Sequence, residues 1–147
     1  MDHVNLPIQP PRLFLLTLLV GLVLPDPFAL PDLLRDSGWA WLLAGALLAR
    51  WSFRTLKHHH TSGNPRTASV VLVTRGPYRW SRNPIYVAML MLYSGAALVM
   101  GSSSALLLAP VLVWLVDWQI IRREEVYLAQ RFREQWQPWA LQTRRWF

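Results

Sequence analysis

The sequence predicts an all-α integral membrane protein, with four transmembrane helices and a C-terminal amphipathic helix in one domain over residues 1–147. Three observations lead there. Of 147 residues, 53% are apolar and 16% charged, where an ordinary soluble domain carries about 25% charged residues. Leu13–Leu24, Gly38–Phe53, Ile85–Met100 and Ala105–Ile121 are apolar on nearly every face. A chain this short cannot bury four such helices in a water-soluble bundle. The charges are also sorted between the connections, as a membrane topology requires.

The first apolar stretch is shorter than the roughly 17–25 residues of a bilayer helix. It can be lengthened through Pro25, Pro27 and Phe28–Pro31, with a kink where proline removes backbone donors. The connection Pro25–Ser37 holds Asp26, Asp32, Asp36 and a single cation, Arg35. From the end of the second stretch toward the third come Arg50, Arg54, Lys57, Arg66, Arg75, Arg79 and Arg82 with no acid among them. The third connection, Gly101–Ser104, is a short uncharged turn, and the fourth stretch carries Pro110. From Arg122 onward there are six Arg and three Glu. The positive-inside rule then places both termini and the long second loop in the cytoplasm. Trp39, Trp41, Trp51, Trp80 and Trp118 fall near helix ends, where an interfacial belt would put them. Asp2 and the early prolines give no basic n-region, so a signal peptide is not expected. Glu124–Trp136 reads as the amphipathic helix, with Leu128, Phe132 and Trp136 on one face and Arg131 and Glu134 off it. Its plain alternative is an interfacial anchor without chemistry.

Composition narrows the chemistry. The absence of Cys removes disulfides, thiolate metal sites and a Cys nucleophile. A net charge of +7 would suit nucleic acid, but the apolar excess redirects it to anionic lipid heads or an anionic substrate, and no nucleic-acid partner is expected. His58, His59 and His60 diverge on a helix and have no carboxylate beside them, so no metal site is expected. No G-x-G-x-x-G occurs. Asp117 reads as a polar helix contact, and Gly95 and Gly101 as close-packing positions.

Two segments remain. In the run Leu72 to Tyr86, Gly76-Pro77 is turn chemistry. Asn83-Pro84 starts a helix, with Asn as N-cap and Pro at the first position. That start faces the cytoplasm and offers helix-end N–H groups to an anion, with Arg79 and Arg82 adding positive field and Tyr78 and Tyr86 offering rings and hydroxyls. A capped helix with basic residues at lipid heads would look the same. The second segment, Arg122-Arg123-Glu124-Glu125, follows the fourth helix. Adjacent helical residues point about 100° apart, so one Glu can take a cationic ligand group while the other pairs with an Arg. A positive helix end and a carboxylate at one membrane face suit a zwitterionic ligand such as an amino-acid moiety.

These residues resemble the isoprenylcysteine carboxyl methyltransferase family, which is similar in turn to the phospholipid N-methyltransferases. The family pattern L-V-T-x-G-x-Y-x-x-x-R-[HN]-P-x-Y is met by Leu72 to Tyr86. E-E-x-x-L-x-x-x-F-x-x-x-[YW] is met by Glu124, Glu125, Leu128, Phe132 and Trp136. The resemblance covers residues 54–147, with 1–53 as two preceding helices. It implies a membrane methyltransferase taking S-adenosylmethionine from the cytoplasm and a lipophilic small-molecule or lipid acceptor from the bilayer. It further implies cofactor contacts at Val70, Val71, Leu72, Val73, Tyr78, Asn83, Pro84, Ile85, Tyr86 and Glu124, and a catalytic set of Glu124, Arg82 and Tyr86. Arg79, Arg122 and Arg123 would orient an acidic acceptor, and an amine acceptor would need a base, for which Glu125 and Tyr86 are candidates. Asn83 stands where many members have His, and Ile120 where the eukaryotic enzymes have the Arg that meets prenylcysteine carboxylate. Two other readings stand beside this one: an NADPH-dependent membrane reductase similar to sterol reductases, and a non-enzymatic lipid-binding adaptor.

Overall fold

The computed structural model describes residues 9–59 and 71–147; Asp2, His60, Arg66 and Val70, named above, lie outside them. The described chain is helical: α1 Pro10–Val23, α2 Asp32–His58, a 3₁₀ turn Gly76–Arg79, α3 Pro84–Met100, α4 Ser103–Val116, a π-turn Asp117–Ile121 and α5 Arg122–Gln142. No strand forms among the described residues, although one parallel backbone bridge joins Ser81 to Arg144.

Local chemistry sets the boundaries. Prolines open α1 and α3, where a missing N–H costs nothing. Asp32 in the first turn of α2 and Lys57 and His58 in its last turn complement the helix dipole. Gly101, at φ +73°, ends α3 in the left-handed conformation, and the amides of Gly101 and Ser102 close back onto Leu98 and Ala97. Gly101 is thus a turn residue rather than a packing one. Ser102 then caps α4 by accepting from the Ala105 amide at 3.2 Å.

The first helix is not lengthened as expected. It stops at Val23, and Pro25 to Pro31 form a loop, because three prolines deny donors and Asp26 turns away to cap α4, accepting from the Ser104 amide at 2.9 Å. The second helix instead begins earlier than Gly38, at Asp32, and runs past Phe53 to His58.

Packing follows small residues. A Cβ on Gly38 would lie 2.8 Å from the Gly95 carbonyl, and one on Gly45 3.0 Å from that of Ala88. The paired positions run in opposite directions along the two helices, so α2 and α3 pack antiparallel on a seven-residue small-residue seam. A Cβ on Gly21 would fall 2.5 Å from Ala105 Cα, which sets the end of α1 against the start of α4. Phe14, Tyr86, Tyr93, Leu112, Val116, Ile120 and Ile121 form the core between them. The α1–α2 loop and the α3–α4 turn therefore share one end of the bundle, and the start of α3 shares the other end with the π-turn and α5.

The amphipathic helix is not a separate element. In the π-turn the Arg122 amide donates to the Asp117 carbonyl, and the helix continues from Ser103 to Gln142. This is one helix long and apolar enough to cross a membrane; its apolar part ends at Ile121, where the charges begin. Pro10–Val23 and Pro84–Met100 are shorter apolar helices. Leu15, Leu19, Leu43, Leu47, Leu107 and Val111 are exposed on the outer faces of the bundle. Farther on, α5 kinks at Arg133 (φ 30°, ψ −94°) and carries Pro138, which leaves the Glu134 carbonyl without its helical donor. The kink folds the last turns back toward the start of α3.

Candidate functional site

The two motifs meet. The Tyr86 hydroxyl, on the first turn of α3, donates to Glu124 Oε1 at 2.8 Å across 38 residues of sequence. Gly76 (φ +60°) and Pro77 set the 3₁₀ turn against α2; a Cβ on Gly76 would lie 2.9 Å from Thr55 Oγ1. That turn buries Tyr78 with Leu56, Leu72, Val73 and Trp139, flanked by Ile85, Phe132 and Trp136. Trp139 Nε1 donates to the Tyr78 carbonyl at 3.1 Å, so the folded-back end of α5 walls the motif.

The adjacent acids have divided partners. Glu125 accepts from Arg145 Nε at 3.1 Å and Nη2 at 2.7 Å, and pairs with Arg82 Nη2 at 2.9 Å. Arg145 Nη1 also lies 3.4 Å from Asp117, whose other oxygen takes Arg122 Nε at 2.9 Å. Arg82 and Glu125 are mostly buried, at 15% and 14% exposure. The cluster Arg82, Arg145, Glu125 and Asp117 balances its own charge, as buried ions must. Glu124 has no cation partner among the described residues; Tyr86 is its hydrogen-bond donor.

Environment follows from this division. Glu124 lies one turn past the apolar segment, and burial pushes its carboxyl up to about 7, opposed by the Tyr86 hydrogen bond and reinforced by the charge of Glu125. Burial, and then the charge of Glu124, push the Tyr78 hydroxyl up. The Glu125 hydrogen bonds hold Arg145 firmly protonated.

Asn83 occupies the cap position, but its side chain makes no capping bond. Its Nδ2 donates instead to the Arg145 carbonyl at 2.9 Å. The amides of Tyr86 and Val87 take the Asn83 carbonyl and Pro84 has none, so Ile85 is the first-turn amide without a backbone acceptor among the described residues. The helix start is therefore a poorer anion receptor than the sequence suggested. Arg82 Nη1 donates to the Ala140 carbonyl at 2.6 Å and its amide to the Arg144 carbonyl at 2.8 Å, which places this residue in the scaffold joining the motifs.

The remaining positions separate. Leu72 and Val73 are buried and Val71 is exposed. A cavity of about 620 Å³ is lined by Leu72, Thr74, Arg79, Gln135, Pro138, Trp139, Gln142 and Thr143. Its walls include neither Tyr86 nor Glu124; Trp139, which lines it, also packs against Tyr78 of the first motif. Arg79 faces this cavity, whereas Arg122 turns to Asp117 and Arg123 is exposed. Arg145 and Trp139 had escaped the sequence reading. The available signal was charge balance: acids at a helix end need cations, and Arg145 supplies one to Glu125.

Residues 35–135 match the model of a protein family described as phospholipid methyltransferase. The match runs from α2 into α5 and contains the first motif and the second as far as Phe132. No curated protein and no solved structure matches the chain.

Proposed function

Because the chain belongs to the phospholipid methyltransferase family, which is shared with the isoprenylcysteine carboxyl methyltransferases, we propose that it is a multi-pass membrane methyltransferase. In this reading it takes S-adenosylmethionine at its cytoplasmic face and methylates a lipophilic acceptor. The observation that carries the reading is the Tyr86–Glu124 contact at 2.8 Å. It unites the two motifs around a partly buried carboxylate that has no cation partner among the described residues. A partly buried carboxylate without a cation among the described residues fits a ligand with an ammonium and a sulfonium, since the ligand would supply a counter-charge. When bound, S-adenosylmethionine supplies a methyl group on a positively charged sulfur that departs as a neutral thioether.

The residues of this chain hold, orient and exclude water. Glu124, aimed by Tyr86, takes the cationic group. Leu72, Val73 and Tyr78 form an apolar wall, and the neighbouring cavity of about 620 Å³ lies within the ~300–1,000 Å³ range of small-molecule sites. Alignment of donor and acceptor can contribute roughly 7–11 kcal/mol. Arg82 serves as a holding residue, because its guanidinium is committed to Glu125 and Ala140. Arg79, on the cavity rim, orients an acidic acceptor. Neither candidate base is at liberty: Glu125 is pinned by two Arg and the Tyr86 hydroxyl is protonated and hydrogen-bonded to Glu124. An acceptor that is already anionic needs no base, and the geometry favours that class over an amine. The exposed apolar faces of the bundle support four spans, with the Tyr86–Glu124 end in the cytoplasm.

The test incubates purified protein with methyl-labelled S-adenosylmethionine and a membrane lipid extract. A labelled lipid, absent with Glu124→Gln, is the expected result; its mass distinguishes a methyl ester from a methylated amine. Binding of NADPH without S-adenosylhomocysteine would overturn the reading in favour of a reductase, and no binding of either would favour an adaptor.

A further inference from the structure

We propose that Arg145 is the positioning residue of this site: by occupying Glu125 it reserves Glu124 for a cationic ligand. The inference rests on the methyltransferase reading and adds to it a residue outside both motifs. Two neighbouring carboxylates in a partly buried site cannot both remain charged without cations. Arg145 meets Glu125 with a fork, Nε to Oε1 at 3.1 Å and Nη2 to Oε2 at 2.7 Å, and a bidentate pair fixes the plane of the carboxylate as well as its charge. The third nitrogen reaches Asp117 at 3.4 Å, which ties the π-turn to the same group. The Arg145 carbonyl, meanwhile, accepts from Asn83 Nδ2 at 2.9 Å and from Ser81 Oγ at 3.4 Å.

One residue thus grips the acid motif with its side chain and the Asn-Pro motif with its backbone. The Ser81–Arg144 bridge and the bond from the Arg82 amide to the Arg144 carbonyl hold the strand-like end of the chain in register for both. Arg82 alone cannot replace this grip: it offers Glu125 a single nitrogen, and its other terminal nitrogen is taken by the Ala140 carbonyl. A lysine at 145 would carry the charge without the fork.

The test measures the affinity of the full-length protein for S-adenosylhomocysteine in detergent. Arg145→Met is expected to weaken binding about tenfold and Arg145→Lys about threefold, a partial rescue. In a Glu125→Gln background the Met substitution should cost less than about twofold more, since its target is already gone. Independent, additive losses from Arg145→Met and Glu125→Gln would overturn the proposal, as would unchanged binding by a folded Arg145→Met. If the Met variant does not fold, Arg145→Lys and Glu125→Gln carry the same comparison, and unchanged affinity in Arg145→Lys overturns the need for the fork. Failure of the wild type itself to bind S-adenosylhomocysteine would instead bring down the underlying reading, and this inference with it.

Discussion

Each end of the bundle is organised by an acid, and the two acids are treated in opposite ways. At the end formed by the α1–α2 loop, Asp26 accepts from the Ser102 and Ser103 hydroxyls at 3.1 and 3.2 Å and from the Ser104 amide at 2.9 Å. The Ser104 amide, more than the serine hydroxyls, holds the carboxyl below the ordinary aspartate range. At the other end Glu124 is partly buried, receives the Tyr86 hydroxyl as its donor among the described residues and sits well above the ordinary glutamate range. A carboxylate surrounded by donors is a structural cap. A partly buried carboxylate with a single tyrosine donor among the described residues is, in the reading proposed above, a group that a ligand completes.

The two acids also respond to pH with opposite sign. Asp26 stabilises the fold above its unfolded value of 3.8, and that contribution is lost as pH falls through its lower folded value. Glu124 binds its proton more tightly folded than unfolded, so the cost of charging it is absent below 4.5, grows between 4.5 and about 7, and is complete above.

Glu124→Gln should break the contrast most strongly. Methyl transfer and S-adenosylhomocysteine affinity are each expected to fall about 100-fold, because the amide cannot answer a cation. The melting temperature without ligand should hold or rise at pH 8, since no charge is then buried. Ser103→Ala should do the reverse. Its fully buried hydroxyl donates to the Phe28 carbonyl at 2.7 Å, so its removal should destabilise the protein by about 2 kcal/mol in a denaturant titration and leave ligand affinity unchanged. Tyr86→Phe sharpens the comparison with the smallest effect. Affinity should fall about fivefold, about 1 kcal/mol for one charge-assisted hydrogen bond.

The parts of the molecule governed by local rules were readable before folding. Pro84 at a helix start, the turn at Gly76-Pro77 and the four apolar stretches follow from backbone chemistry and hydropathy. That Glu125 pairs with Arg while Glu124 does not among the described residues was also foreseeable, because neighbouring helical residues diverge. The cation that executes it was not: Arg145 reaches Glu125 only after α5 kinks at Arg133 and doubles back. The π-turn has no compositional mark, and it decided that the last apolar helix and the acid-bearing helix would be continuous. Asn83 misled for a similar reason, since a long-range acceptor on Arg145 captured the side chain that a local cap would have used.

The most direct test of the Tyr86–Glu124 site follows S-adenosylhomocysteine affinity across pH 5–9 for wild type and Glu124→Gln together. Wild-type affinity is expected to climb through about pH 7 as Glu124 ionises, and this rise should disappear in the variant. Superimposable profiles for the two proteins would contradict it.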